Sequence, residues 1–244
     1  MAEAEDPLAG GFVNPVVRVG NTVRRPRSSG YVHRLLRHLE RHGWPGAPRL
    51  LGFDDRGREI LTFLDGEVPW RPDRQRAVRT DAALAGVAGL LREFHDLTAG
   101  AELAAGGEVV CHNDLSPRNT VYRDAGAGPL PVAFLDWELA GPGERVHDVA
   151  HACWQYVGLG PDAPPDRAAR RVRLVADAYG LADRSGLVPA ILWWQDRCWR
   201  GIEAQADAGV PAMVRLRELG GARDVRGQHE WTAAHRAALE AALR

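Results

Sequence analysis

The spacing of apolar residues divides this chain into two parts near residue 66. Before that point, short apolar runs alternate with turn residues. Phe12 to Val19 and Thr22 to Arg25 flank Gly20-Asn21, a two-residue hairpin signal. Leu50 to Phe53 and Glu59 to Phe63 flank Asp54-Asp55-Arg56-Gly57, a second hairpin signal. Between the hairpins Val32, Leu35, Leu36 and Leu39 follow the i, i+3, i+4, i+7 rule. That spacing predicts a helix opened by Ser28 or Ser29 and running to about His42.

After Asp65-Gly66 the stretch VPWRPDRQR, with its two prolines, reads as a linker, and a hinge is expected near residues 64–70. Beyond it the helical period dominates. Leu84, Val87, Leu91 and Phe94 share one face of a helix opened by Thr80 or Asp81. Val109 to Cys111 and Thr120 to Tyr122 read as strand ends around a polar loop, and Pro131 to Glu138 as a further short strand. PDAPPD breaks the chain at 161–166, and helices are expected at about 166–180, 187–208, 211–219 and 230–243. The pattern predicts an α+β protein of two lobes, a small β-rich lobe over 1–66 and a larger helical lobe over 67–244.

Composition narrows the classes. A hydrophobic share of 45% and a formal net charge of −1 describe a globular protein with no general attraction to nucleic acid or to an anionic membrane. The odd, widely spaced Cys111, Cys153 and Cys198 fit reduced thiols better than a disulfide framework or a zinc site. No stretch approaches the roughly 20 apolar residues of a membrane span, and the acidic start MAEAEDPLAG lacks an apolar core, so a cytoplasmic protein is expected. All 31 basic residues are arginine, so any task that usually needs lysine falls to Arg.

The candidate chemistry lies in VVCHNDLSPRNTVY, residues 109–122. His112-x-Asp114-x-x-x-x-Asn119 is followed seventeen residues later by Asp136, and both acids end short apolar runs. Phosphoryl transfer needs this inventory: one carboxylate to accept a proton, and a carboxylate with an amide oxygen to hold Mg²⁺. The plain alternative is that Asp114, Asn119 and Asp136 are ordinary turn residues. Asp148 reads equally as a helix N-cap or as a support for the loop. Cys111 reads as a small buried residue. Trp193, Trp194 and Trp199 read as core packing at helical spacing, and Arg197 and Arg200 as solvated helix faces. Arg25 is either an exposed strand residue or a phosphate contact.

CHNDLSPRNTVY resembles the catalytic loop of the aminoglycoside phosphotransferase family, the phosphotransferase enzyme family with a protein-kinase-like fold. FLDWELAGPGERVHDVAHACW resembles its metal-binding loop and the helix that follows. GGFVNPVVRVGNTVRRP and VHRLLRHLERHGWPGAPRLLGF are similar to its opening hairpin and its first helix and strand. The resemblance covers roughly residues 10 to 156. It implies Asp114 as catalytic base, His112 as a brace of the catalytic loop, Asn119 and Asp136 as Mg²⁺ ligands, and Asp148 as support. Gly11, Asn14 and Arg25 would serve the nucleotide phosphates, while Phe63 and Leu64, in a hinge segment from Leu61, would meet the base through backbone groups.

The implied reaction is Mg-dependent transfer of the γ-phosphate of ATP or GTP to a hydroxyl of a small molecule. Two departures from the family pattern keep a second reading open, a nucleotide-binding or immunity protein without turnover. The helix position where an acidic partner of Arg25 is expected falls on Val32 or His33, so no ion pair is expected there. The glycine loop is reduced to Gly10-Gly11-Phe12-Val13-Asn14. Residues 151–244 carry 13 Arg against 11 Asp and Glu, which argues for a neutral or anionic acceptor, with Glu203 and Asp207 as a local acidic patch.

Overall fold

The computed structural model describes residues 4–8, 16–124, 126 and 128–244. Gly11 and Asn14, like the first half of the opening hairpin, lie outside the described residues. The smaller lobe contains β1 (Asp6–Pro7), β2 (Val17–Val19), β3 (Thr22–Arg25), α1 (Gly30–Arg41), β4 (Leu50–Phe53) and β5 (Glu59–Thr62). Its strands form one antiparallel sheet in the order β1-β2-β3-β5-β4. Gly20, at φ +58°, supplies the left-handed turn between β2 and β3. Ser29 caps α1 by accepting the Val32 amide, and Val32, Leu35, Leu36 and Leu39 are buried as their spacing requires.

The linker is more ordered than its composition suggests. Pro72 opens a short helix, α2 (Pro72–Ala77), because its fixed φ and missing N–H suit a first helical position. Upstream, Glu67 exchanges both backbone hydrogen bonds with Tyr122, each at 2.8 Å, which pins the strap between the lobes to a strand of the larger one.

The larger lobe begins with α3 (Asp81–Thr98), capped by Thr80. It continues through β6 (Val109–Cys111), β7 (Thr120–Asp124), β8 (Pro129–Phe134), β9 (Gly141–Gly143), α4 (Arg145–Val157), α5 (Pro165–Tyr179), α6 (Leu187–Asp207), α7 (Pro211–Glu218), α8 (Gly221–Ala234) and α9 (Arg236–Leu243). The strand expected over 131–138 ends at Phe134, because Asp136 adopts a left-handed φ of +61° and Trp137–Leu139 coil into a 3-10 turn. β9 was not legible, since Gly-Pro-Gly reads as a turn; it pairs antiparallel with β6. The helix expected over 230–243 is divided at His235: α9 takes its second part, and its first turn belongs to α8, which begins at Gly221 and, burying only Ala222 and Thr232, is held by packing along α6. One buried core joins α1 to α9 through Phe94, Leu115, Phe134 and Trp137. Among the described residues no helix is long and apolar enough to cross a membrane.

Candidate active site

The loop between β6 and β7 is held from beneath. Asp148 is fully buried in the first turn of α4, where Glu144 is the N-cap, so Asp148 does not cap the helix. Its carboxylate instead accepts the amides of His112 at 2.6 Å and Asn113 at 2.9 Å, and the His95 Nε2–H at 3.2 Å. Burial alone would raise this carboxyl, but His95 and the loop amides hold it below the usual range. His95 in turn accepts the Tyr179 hydroxyl at 2.7 Å. These bonds account for the buried grouping of His95, Cys111 and Asp148; the Cys111 thiol donates to Glu144 O, and burial pushes its pKa far up.

His112 braces the same loop from above. Its buried Nε2–H donates to Leu135 O at 3.0 Å, while Nδ1 accepts the Asp114 amide at 3.3 Å. That pair of bonds defines the neutral tautomer, and burial lowers the imidazole pKa accordingly. His112 therefore ties the loop carrying Asp114 to the segment carrying Asp136.

Asp114, Asn119 and Asp136 are brought together. A 3-10 turn over Pro117–Asn119 aims Asn119 back, so that both hydrogens of its Nδ2 go to Asp114, one to the carbonyl and one to Oδ2, each at 2.8 Å. This fixes the amide flip and leaves Oδ1 as the remaining acceptor. The Leu135 amide donates to Asn119 O at 2.8 Å, which brings Asn119 beside Asp136. Burial, with the charges of Asp136 and Glu138 behind it, raises the Asp114 carboxyl to about 7, against the opposing bond from Asn119. The amide oxygen of Asn119 and the partly exposed carboxylate of Asp136 are hard oxygen donors of the kind a small divalent cation selects.

Both groups line a cavity of about 470 Å³ between the lobes, together with Val23, Leu61, Phe63 and Leu64. The Phe63 amide is already bonded to Asn21 O at 3.1 Å. Arg25 reaches into the same cavity. Its Nε pairs with Glu59 at 2.8 Å, Nη1 with Asp136 at 3.3 Å, and Nη2 with Glu138 at 2.6 Å and Ser28 Oγ at 2.9 Å. The expectation that Arg25 lacks an ion-pair partner is thus overturned: the acid comes across the sheet from β5, not from the helix. Glu59 escaped the sequence reading, and only strand pairing, which the sequence does not reveal, could have singled it out.

Comparison with known proteins gives the family and the fold. A family model described as the phosphotransferase enzyme family matches residues 6–108 and 98–187. The chain belongs to that family. It is 34% identical to a trifolitoxin immunity protein of Rhizobium leguminosarum bv. trifolii over 97% of each chain. Its fold is similar to an ethanolamine kinase of Plasmodium vivax, with a TM-score of 0.63 and 13% identity over 96% of this chain and 83% of that one. A choline/ethanolamine kinase family protein of Mesorhizobium loti gives 0.61 at 17% identity, over 97% and 92%. The aminoglycoside phosphotransferase APH(3'')-Id of Streptomyces rimosus gives 0.57 at 16%, over 77% and 90%. The two-lobed architecture is the protein-kinase-like fold.

A second cavity, of about 480 Å³, opens beside the loop between β6 and β7, lined by Asn113, Leu139, His147, Trp193, Trp194 and Arg197. Trp193 is 45% exposed, which corrects its reading as a core residue. The His147 ring meets its edge, and the Arg197 guanidinium stands 5.4 Å from its centroid. Trp194 is half-buried and donates to His147 O, and Arg200 pairs with Asp196 on the outer face. The acidic patch of Glu203 and Asp207 is reduced from two negative charges to one, since Arg217 pairs with both.

Proposed function

We propose that this chain is a Mg²⁺-dependent phosphotransferase that moves the γ-phosphoryl group of ATP or GTP onto a hydroxyl of a small molecule. One observation carries the reading. Asn119 spends both amide hydrogens on Asp114 while lining, with Asp136 and Arg25, a cavity of mononucleotide size. Turn residues serving only the backbone have no reason to converge on such a cleft.

In this reading Phe63 and Leu64 flank the base, and Arg25 faces the phosphates as a fixed cation. Mg²⁺, held by the Asn119 amide oxygen and the Asp136 carboxylate, would neutralise charge on the β- and γ-phosphates. Asp114, oriented by Asn119, accepts the proton of the incoming hydroxyl. The acceptor oxygen bonds to the γ-phosphorus, the bond to the bridging β–γ oxygen breaks, and the nucleoside diphosphate leaves. His112 and Asp148 keep Asp114 in place without touching the reactants. The acceptor enters from the cavity of Trp193, Trp194 and Arg197, where an uncharged or anionic molecule with an apolar face is favoured over a polycation.

The relative named as an immunity protein supports a protective role, in which the acceptor is a toxic compound that phosphorylation inactivates. The same likeness also fits protection by binding alone. Incubating the purified protein with Mg²⁺, γ-labelled ATP or GTP and a library of hydroxyl compounds separates the two. Labelled product with catalytic turnover supports the transferase. A compound held at one equivalent of protein, with no nucleotide consumed, supports binding alone.

A further inference from the structure

Glu59 lies on a strand, far in sequence from the loops that hold the candidate chemistry, yet it touches Arg25, a cation that spans the cleft. β3 and β5 are neighbours in the sheet, and their register sets Glu59 directly opposite Arg25. Side chains paired this way leave the sheet on one face, so the two groups meet without any bend of the backbone. Glu59 is 1% exposed and receives four donors. Oε1 takes Arg25 Nε at 2.8 Å and Ser28 Oγ at 3.0 Å; Oε2 takes the Ser28 amide at 3.0 Å and His33 Nε2 at 2.8 Å.

We infer that Glu59 is the positioning residue for Arg25, doing from the strand what an acid on α1 would do from the helix. The inference rests on the phosphotransferase reading above and deepens it. A buried carboxylate with all its acceptor positions filled is rigid, because losing any one donor uncovers a desolvated charge. By holding Nε, Glu59 fixes the plane of the guanidinium. Only the two Nη groups then face the cleft, where they meet Asp136 and Glu138. His33, standing on α1, closes the other side of the carboxylate, so the helix still takes part in the site, as a donor and not as the acid.

The test is a double-mutant cycle on nucleotide binding, read by calorimetry with Mg-ATP, Mg-GTP and adenosine as ligands. Glu59→Gln and Arg25→Gln are each expected to weaken Mg-ATP by at least about tenfold, while adenosine, which has no phosphate, changes by less than about threefold. If Glu59 acts through Arg25, the double variant Arg25→Gln/Glu59→Gln binds Mg-ATP no worse than Arg25→Gln alone. The double variant leaves no buried charge unpaired, so this comparison stands even where Glu59→Gln alone fails to fold. Additive losses, or equal losses for adenosine and ATP, would assign Glu59 to packing and overturn the inference while leaving the transferase reading intact. A wild-type protein that binds neither ATP nor GTP would overturn both.

Discussion

The Asp148 carboxylate accepts the amide of Asn113 at 2.9 Å, and Asn113 stands at a left-handed φ of +64° directly before Asp114. Backbone strain of that kind costs about 1–3 kcal/mol and persists only where surrounding bonds over-determine it. Asp148→Asn keeps the shape but exchanges one acceptor oxygen for a donor, leaving a loop amide unpaired. The expected cost is about 1–3 kcal/mol of stability. Turnover should fall further than Mg-ATP affinity, because the released amides of His112 and Asn113 adjoin Asp114, whereas Asn119 keeps its own anchor to the Leu135 amide. Thermal unfolding with calorimetry checks this, and an unchanged Tm would exclude the support role.

Asp114 and Asp136 should fail differently. Asp114→Asn is expected to lower turnover by about a thousandfold or more while Mg-ATP affinity stays within about threefold, since only the proton acceptor is lost. Asp136→Asn should weaken Mg-dependent nucleotide binding itself. If both variants bind and turn over like the wild type, the transferase assignment is wrong.

Gly66 sits where no side chain fits. Its φ is +139°, and a Cβ there would stand 2.5 Å from Val121 Cγ1 and 2.7 Å from Tyr122 O. Gly66→Ala is expected to pry the strap from β7, at a cost of about 1–3 kcal/mol. Hydrogen exchange at the Glu67 and Tyr122 amides, which pair across this point, should speed up ahead of the core amides. Uniform exchange across the chain would place the loss elsewhere.

Acid acts on this fold in two directions: protonation of Asp114, raised to about 7, favours the native state as pH falls, while the buried histidines oppose it. Burial holds His151 near 4, below its unfolded value of about 6.5, and His112 is lowered in the same direction. At these histidines the unfolded chain therefore takes up protons first as pH falls, so their contribution to stability is full above about 6.5 and declines from there toward 4. By pH 5 His151 alone accounts for a loss on the order of 2 kcal/mol. Denaturant titrations at pH 7 and pH 5 on Asp114→Asn, which removes the opposing carboxyl, measure it. His151→Gln, which retains a donor for Leu115 O, should flatten the slope.

Trp193 is exposed, so Trp193→Ala should leave Tm within about 2 °C of the wild type. It should raise the KM for the true acceptor several-fold while Mg-ATP affinity holds. Kanamycin-type polycations should remain poor acceptors, because Arg197 borders the cavity and Arg217 offsets half the charge of Glu203 and Asp207. Efficient phosphorylation of such a compound at micromolar KM would contradict this account of the acceptor.

By itself the sequence determined what depends on local spacing. The helical stripe of Val32, Leu35, Leu36 and Leu39 and the caps at Ser29 and Thr80 are decided within a few residues of chain. So is the close grouping of Asp114 and Asn119, which lie five apart and meet through one tight turn. Tertiary structure alone decided what depends on contacts between distant segments. Glu59 became the partner of Arg25 because β5 inserts beside β3, past a helix and a strand, and their register faces the two residues. β9 became a strand only because β6 offered it backbone partners, and Trp193 became a cavity wall because α4 covers the neighbouring face of α6. Pairing across a sheet and packing between helices carry no periodic signal in the chain, since their energy belongs to two segments at once.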